Sequence, residues 1–261
     1  MINYRRRLNT KPKILVFSLT GCSGCIASMM SLDVSPQLLE RTELLFFPFI
    51  HDNVNVIESD IAIVEGCVST EQQIPKLKDV RNEAKKVYAL GTCAAFGGIL
   101  SLSKKKIADP ISNYIEIDGF IPGCPPPSHL MGNYIIRLIE NKEFFLPEKN
   151  MCESCPLRKN FDPNFIKDII KIYPAPEDII LPEENPECFL KRGILCLGPI
   201  IREGCEHNCI QNGLPCEGCM GPVSRDLTSN IVNFLSLLNI EKDLKKYKGI
   251  FYRFSKPKIR R

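Results

Sequence analysis

Along this chain the polar and apolar positions fall into two textures. From 13 to 142, short apolar runs alternate with segments of helical spacing. Residues 13–19 (KILVFSL), 43–50 (ELLFFPFI), 60–64 (DIAIV) and 86–90 (KVYAL) read as strands, short and rich in β-branched and aromatic side chains. A further run, 114–120 (YIEIDGF), ends just before a Gly-Cys-Pro loop. Residues 26–40, 70–85 and 128–140 carry apolar side chains at helical spacing, the second opened by Ser69 or Thr70 as cap. Strands that alternate with helices imply βαβ units and a parallel sheet.

Beyond 150 the periodicity fades, and prolines and cysteines dominate as far as 222. Only 164–172 and 226–246 look helical, and the proline-rich, acidic stretch 156–187 reads as an inserted surface excursion. Such a region has little means of burying a core unaided. Metal cross-links are expected to supply the missing stability, because metal binding can itself drive folding.

Composition sharpens this. The chain has 13 cysteines against 3 histidines and no tryptophan. A disulfide framework belongs to short secreted domains, and the odd count speaks against it here. Arg5, Arg6 and Arg7 imitate a twin-arginine leader. The apolar stretch after them already holds a Cys pair and glycines, with no small-residue cleavage site. No run reaches the roughly 18 apolar residues of a membrane span. The expectation is a soluble, cytoplasmic protein, bound to neither membrane nor nucleic acid, whose cysteines hold metal. The net charge of +4 reflects basic ends, Arg5 to Lys13 and Lys256 to Arg261, which suit solubility or partner docking.

Cys22 and Cys25 follow the first strand, Cys93 the strand ending at Leu90, and Cys124 the run ending at Phe120. Each lies just past the carboxyl end of a strand, in a Gly-rich loop (TGCSGC, GTCAAFGG, PGCPPP). In an open parallel sheet those ends form the ligand crevice. Four thiolates there match the Cys₄ set of a [4Fe–4S] cluster, and Pro125 after Cys124 resembles a ferredoxin ending. The alternative is a structural Cys₄ zinc, which usually shows two short paired knuckles rather than one pair and two distant singles.

Cys152, Cys155, Cys188, Cys196, Cys205, Cys209, Cys216 and Cys219 make eight more, enough for two further cubanes. Spacing does not fix their pairing. Cys152 with Cys155, and Cys216 with Cys219, are expected to anchor different clusters. His207 reads as a neighbour rather than a ligand, and His51 and His129 as structural. Cys67, in VEGCVST, is the odd thiol. It reads as a small buried residue in a tight loop, with a fifth thiol near the first cluster as the alternative; Glu65 beside it either tunes cluster charge or faces a partner. The architecture expected is therefore α/β: a flavodoxin-like parallel sheet domain at 1–149, then a small irregular iron–sulfur-cluster domain at 150–261 with a C-terminal helix.

The strings TGCSGC, VEG, GTCAAFGG and GCPPP resemble the small subunit of [NiFe] hydrogenases and the related small subunit of respiratory complex I. The C-x-x-C pair and the eight-cysteine extension favour the hydrogenase. The string CESCPL…CFLKRGILCLGPIIREGCEHNCIQNGLPCEGCMGP is similar to the cytoplasmic, group 3 branch: methyl-viologen-reducing and deazaflavin-reducing hydrogenases and the delta subunit of sulfhydrogenase. The resemblance runs from about Ile14 to Pro222. It implies that Cys22, Cys25, Cys93 and Cys124 hold a proximal [4Fe–4S] cluster and that the eight later cysteines hold the medial and distal ones. It implies three [4Fe–4S] clusters here, with the Ni–Fe site only in the partner large subunit. It also implies an acceptor: a flavin or [2Fe–2S] subunit, with heterodisulfide reductase among the candidates. Cys67 departs from the pattern, where a small residue without a thiol is expected. The competing function is an iron–sulfur adaptor of a complex-I-like oxidoreductase without hydrogenase activity.

Overall fold

The alternating segments form a five-stranded sheet: β1 (Lys13–Ser18), β2 (Glu43–Phe46), β3 (Ser59–Glu65), β4 (Ala84–Leu90) and β5 (Gly119–Ile121). Every pairing is parallel, in the order β2-β1-β3-β4-β5. This is the doubly wound flavodoxin order, which opens a ligand crevice beyond the strand carboxyl ends where the winding reverses, here between β1 and β3. The computed structural model describes residues 11–33, 35–48, 56–103, 108–160, 169–179, 187–223, 227–238, 250–251 and 254.

The helices of this unit are α1 (Gly24–Met30), α2 (Ser35–Arg41), α3 (Gln73–Glu83), α4 (Gly91–Phe96) and α5 (Ser128–Ile139). Every residue of β3 except Asp60 is buried, as a strand covered on both faces requires. On one face Leu15, Phe17, Ala62, Val64, Val87 and Ala89 join Leu77 and Val80 of α3 in one apolar cluster. Side chains alternate across a strand, and the intervening Ile14, Val16, Ile61 and Ile63 are buried too. Tyr88 meets Phe144, which stacks on Tyr134 of α5 at 4.2 Å between centroids. Each fully buried aliphatic side chain contributes about 1.5–3 kcal/mol, so the sheet is a rigid floor for the loops above it.

The elements depart from sequence expectation where local chemistry interrupts a pattern. The helix expected over 26–40 is two helices. Pro36 has no N–H to donate backwards, and it is tolerated because it sits in the first turn of α2. β2 ends at Phe46, ahead of Pro48, rather than running to 50; residues 49–50 lie outside those described. α3 begins at Gln73, and β4 takes over at Ala84, so Lys85 belongs to the strand. Neither Ser69 nor Thr70 caps that helix with its side chain. Instead Gln73 Oε1 accepts the backbone N–H of Ser69 (2.8 Å) and Thr70 (3.2 Å). Of the run 114–120, only Gly119 and Phe120 enter β5.

Phe145–Arg261 forms a second unit. Among the described residues its regular structure is α6 (Asn208–Gln211), α7 (Leu227–Leu237) and short 3₁₀ turns. Of the helix expected at 164–172, residues 164–168 lie outside those described and 169–172 are not helical. Lys171 bridges to Ile194, and the N–H groups of Ile170 and Lys171 both donate to Gly193 O, so an extended pairing satisfies this backbone. α7 covers the first part of the helix expected over 226–246; Asp226 and residues 239–246 lie outside those described.

Asp178 ties the excursion down. Lys171 Nζ donates to both its carboxylate oxygens (2.9 and 2.7 Å), Ala175 N–H to one of them, and Arg192 to its backbone carbonyl. The hydrogen bond from Lys171, with that from Ala175, holds its carboxyl below the usual carboxylate range. A lowered folded-state pKa stabilises fully above the unfolded value, and the effect fades as pH falls through the folded one. In Asp178→Asn, hydrogen exchange at the Ile170 and Lys171 amides should therefore be faster than in the unchanged chain at neutral pH. The gap should close as pH falls below about 4.

Candidate metal centres

The carboxyl edge of the sheet gathers four thiols. Cys22 follows β1, Cys25 lies in the first turn of α1, Cys93 lies in α4 after β4, and Cys124 follows β5. Three of them register their neighbours. Burial pushes the Cys25 thiol far up, and Glu65, Cys93, Cys124 and Cys22 push it the same way. Cys93 is pushed up to about 12, by burial first, then by Cys67, Cys124, Cys22 and Glu65. Cys124 is raised by burial and by Cys22. Cys22 and Cys124 are exposed and the other two half-buried, so this nest opens to the surface.

Backbone glycines make room for it. A Cβ on Gly91 would stand 2.3 Å from Cys25 Sγ, and one on Gly98 2.5 Å from Cys93 Sγ. Both glycines have positive φ. Thr92, 1% exposed, joins two of the loops: its N–H (2.9 Å) and its hydroxyl (2.6 Å) both donate to Gly123 O, the carbonyl before Cys124. Thr92→Val should cost about 1–2 kcal/mol through that lost bond and loosen Cys124. Thr92→Ser should restore both, as thermal melting and the reactivity of the Cys124 thiol would report.

Glu65, at the end of β3, is 2% exposed and accepts the Ser18 hydroxyl at 2.7 Å. Burial pushes its carboxyl up, against the hydrogen bond from Ser18. It acts on both Cys25 and Cys93, so it belongs to the nest's electrostatics. Cys67 is fully buried, with its N–H and carbonyl paired to Thr20 at 2.8 and 3.2 Å. That is the small residue in a tight loop, and its thiol also borders Cys93.

The second unit gathers the other eight cysteines into two sets. Burial pushes the Cys152 thiol far up, and Cys196, Cys155 and Cys188 reinforce it. Cys196, raised to about 12 by burial, feels Cys188 and Cys155. In the other set, Cys216 is raised by burial with Cys196, Cys219 and Cys209 adding, and Cys209 by burial with Cys205 adding. Cys152, Cys155, Cys188 and Cys196 thus stand together, while Cys205, Cys209, Cys216 and Cys219 are linked one to the next, with Cys216 also reaching Cys196. Cys216 N–H donates to Cys196 Sγ at 3.3 Å, joining a member of one set to a member of the other. Backbone N–H groups also point at sulfur: those of Leu157 and Arg158 at Cys155, of Gly198 at Cys196, and of His207 and Asn208 at Cys205.

His207 keeps its ring Nε2 on Met151 O at 2.9 Å, outside the thiol sets. His129 is exposed in the first turn of α5, and His51 lies outside the described residues.

These nests fit iron–sulfur clusters. The donors are all thiols, backbone N–H groups stand ready for sulfur, and glycines clear the space around Cys25 and Cys93. Crowded, buried thiols hold their protons until a cationic core replaces them. Among the described residues, no three Cys, His, Asp or Glu side chains close on one point as a single ion needs.

The doubly wound parallel sheet is the fold of solved NiFe-hydrogenase and NiFeSe-hydrogenase chains. Residues 22–138 match the family described as NADH ubiquinone oxidoreductase, 20 Kd subunit. The chain is 31% identical to a subunit of the vhu F420-non-reducing hydrogenase of Methanocaldococcus jannaschii, over 86% of this chain and 87% of that one. It is 29% identical to the delta subunit of sulfhydrogenase 2 of Pyrococcus furiosus, over 87% and 92%. Its fold matches the actinobacterial-type NiFe-hydrogenase from Ralstonia eutropha with a TM-score of 0.62 at 16% identity, covering 95% of this chain and 91% of that one. The chain belongs to the small-subunit family of group 3 [NiFe] hydrogenases. It is accordingly a hydrogenase component without the Ni–Fe site. Among the described residues no helix is long and apolar enough to cross a membrane.

Proposed function

We propose that this chain is the electron relay of its hydrogenase, with one [4Fe–4S] cluster in each of the three thiol nests. It would carry electrons from the Ni–Fe site of the large subunit to an acceptor partner, a flavin or [2Fe–2S] subunit, with heterodisulfide reductase among the candidates. The observation that carries the reading is the gathering of four thiols over the carboxyl edge of the sheet and of eight in the second unit, where Cys216 N–H donates to Cys196 Sγ; three cubanes need these twelve. When bound, a cubane supplies reversible one-electron storage. The chain's residues hold the ligand positions, exclude water around Cys196 and Cys216, and aim N–H groups at sulfur. The open mouth at Cys22 and Cys124, with exposed Ile99 and Leu100 beside Gly98, suits a large subunit that seals the first nest. Thirteen cysteines, none of them in a disulfide, suit the reducing cytoplasm.

Anaerobic purification of the complex tests this. Expected are nickel, hydrogen-dependent viologen reduction, and about twelve irons beyond those of the Ni–Fe site and of any acceptor subunit. A co-purifying flavin or [2Fe–2S] subunit names the acceptor. A colourless subunit, or one with irons for fewer than three cubanes, overturns the relay as drawn.

A further inference from the structure

The three nests differ in the charged side chains that border them. Glu65 acts on Cys25 and Cys93 in the first. In the third, Glu206 acts on Cys205 and Glu217 on Cys209. The second nest is bordered by a cation. Arg158 closes the turn Cys155-Pro156-Leu157-Arg158, its N–H donating to Cys155 O at 3.0 Å, with proline at the second position that such turns favour. The turn swings the side chain back over the other half of the CESC motif, where the guanidinium donates to Cys152 O at 3.3 Å. The charge is fixed at any accessible pH, since arginine stays protonated. Two carboxylates flank the same motif, Glu153 accepting the N–H of Asn150 and Glu203 the Ser154 hydroxyl.

We infer that Arg158 is a positioning residue for the electron relay: its guanidinium, held against Cys152 by the Cys155–Arg158 turn, raises the reduction potential of the cluster in the second nest. Adding an electron makes a cluster more negative, so a nearby cation stabilises the reduced form, and net charge and hydrogen bonding are established levers on such potentials. The thiols on which Arg158 acts, Cys152 and Cys155, both belong to the second nest, so its effect falls mainly there. The inference rests on the proposed occupancy of the second nest by a cluster.

The test is a redox titration of the purified, intact hydrogenase complex followed by electron paramagnetic resonance, comparing the unchanged chain with Arg158→Gln and Arg158→Lys. The second-nest signal is identified as the one lost in Cys155→Ala. Arg158→Gln should move that midpoint to lower potential and leave the others where they were, with iron content unchanged. Arg158→Lys should restore most of the shift. The side chain is exposed, so both variants should assemble. Midpoints that stay put in Arg158→Gln, or that all move together, overturn the inference. So does a drop that Arg158→Lys fails to reverse, which would make the geometry of the turn, not the charge, responsible. An unchanged complex in which Cys155→Ala removes no signal overturns the occupancy itself, and the inference with it.

Discussion

Gly98→Ala should empty the first nest while the other two keep their clusters. Gly98 has φ 61° and ψ −164°, a region essentially reserved for glycine, and a non-glycine residue held there costs about 1–3 kcal/mol. That strain alone would leave a folded subunit with all its irons. The larger effect is steric: the added methyl would stand 2.5 Å from Cys93 Sγ and 3.1 Å from Cys93 Cα. The backbone there cannot yield cheaply, since Gly97 N–H is bonded to Cys93 O at 2.9 Å and closes α4. The thiol must therefore leave its place. The subunit should lose about four irons and hydrogen-driven dye reduction should disappear, because the first nest is the proposed entry point. Gly91→Ala should behave alike by displacing Cys25 Sγ. Full iron content in both variants would show that the glycines serve only the turn.

Arg202→Met should destabilise the second unit by about 3 kcal/mol or more, since hydrogen bonds from a charged group are worth about 1.5–3 kcal/mol each. One Arg202 amine donates to Pro147 O, and the other to Pro222 O (3.1 Å) and Val223 O (2.8 Å). Its backbone bridges Asn150, and its N–H donates to Gly221 O. One side chain thus fastens the start of the unit to the segment that follows Cys219. With so little helix and no sheet among the described residues, few other bonds fix those stretches of chain. The melting temperature of the unit should fall by about 10 °C, and iron should be lost from the second and third nests on warming. Arg202→Lys should recover only part, because an ammonium lacks the planar fork that reaches separated carbonyls at once. A melting temperature within experimental error of the unchanged chain would remove Arg202 from this role.

The parallel sheet was legible in advance because its signals are local. A strand buried on both faces shows as an unbroken apolar run, and 13–19, 60–64 and 86–90 each proved to be one, extended or trimmed by a residue or two at the ends. The break at Pro36 was legible too, in a residue that cannot donate a backbone hydrogen bond, yet the apolar spacing across it suggested continuity. The 3₁₀ turns and bridges after 145 carry no period at all. Lys171 lies in an extended bridge rather than a helix because the backbone of 193–195 is there to receive it, a fact about a segment over twenty residues away.

By itself the sequence determined which residue types could do the chemistry: thiols in Gly-rich loops after strands, and eight more in a proline-rich stretch without periodicity. It also carried the family, since loop motifs are read as strings. Tertiary structure alone decided which cysteines stand together, placing Cys188 with Cys152 and Cys155, and Cys209 with Cys205 and Cys216. It alone put Thr92 on the carbonyl before Cys124, Glu65 beside Cys25, and Arg158 over Cys152. The physical reason is range. Propensity and hydrophobic period act over a few residues, whereas a nest is defined where segments far apart in sequence are brought within hydrogen-bonding and Coulomb distance, and only the packed fold sets that distance.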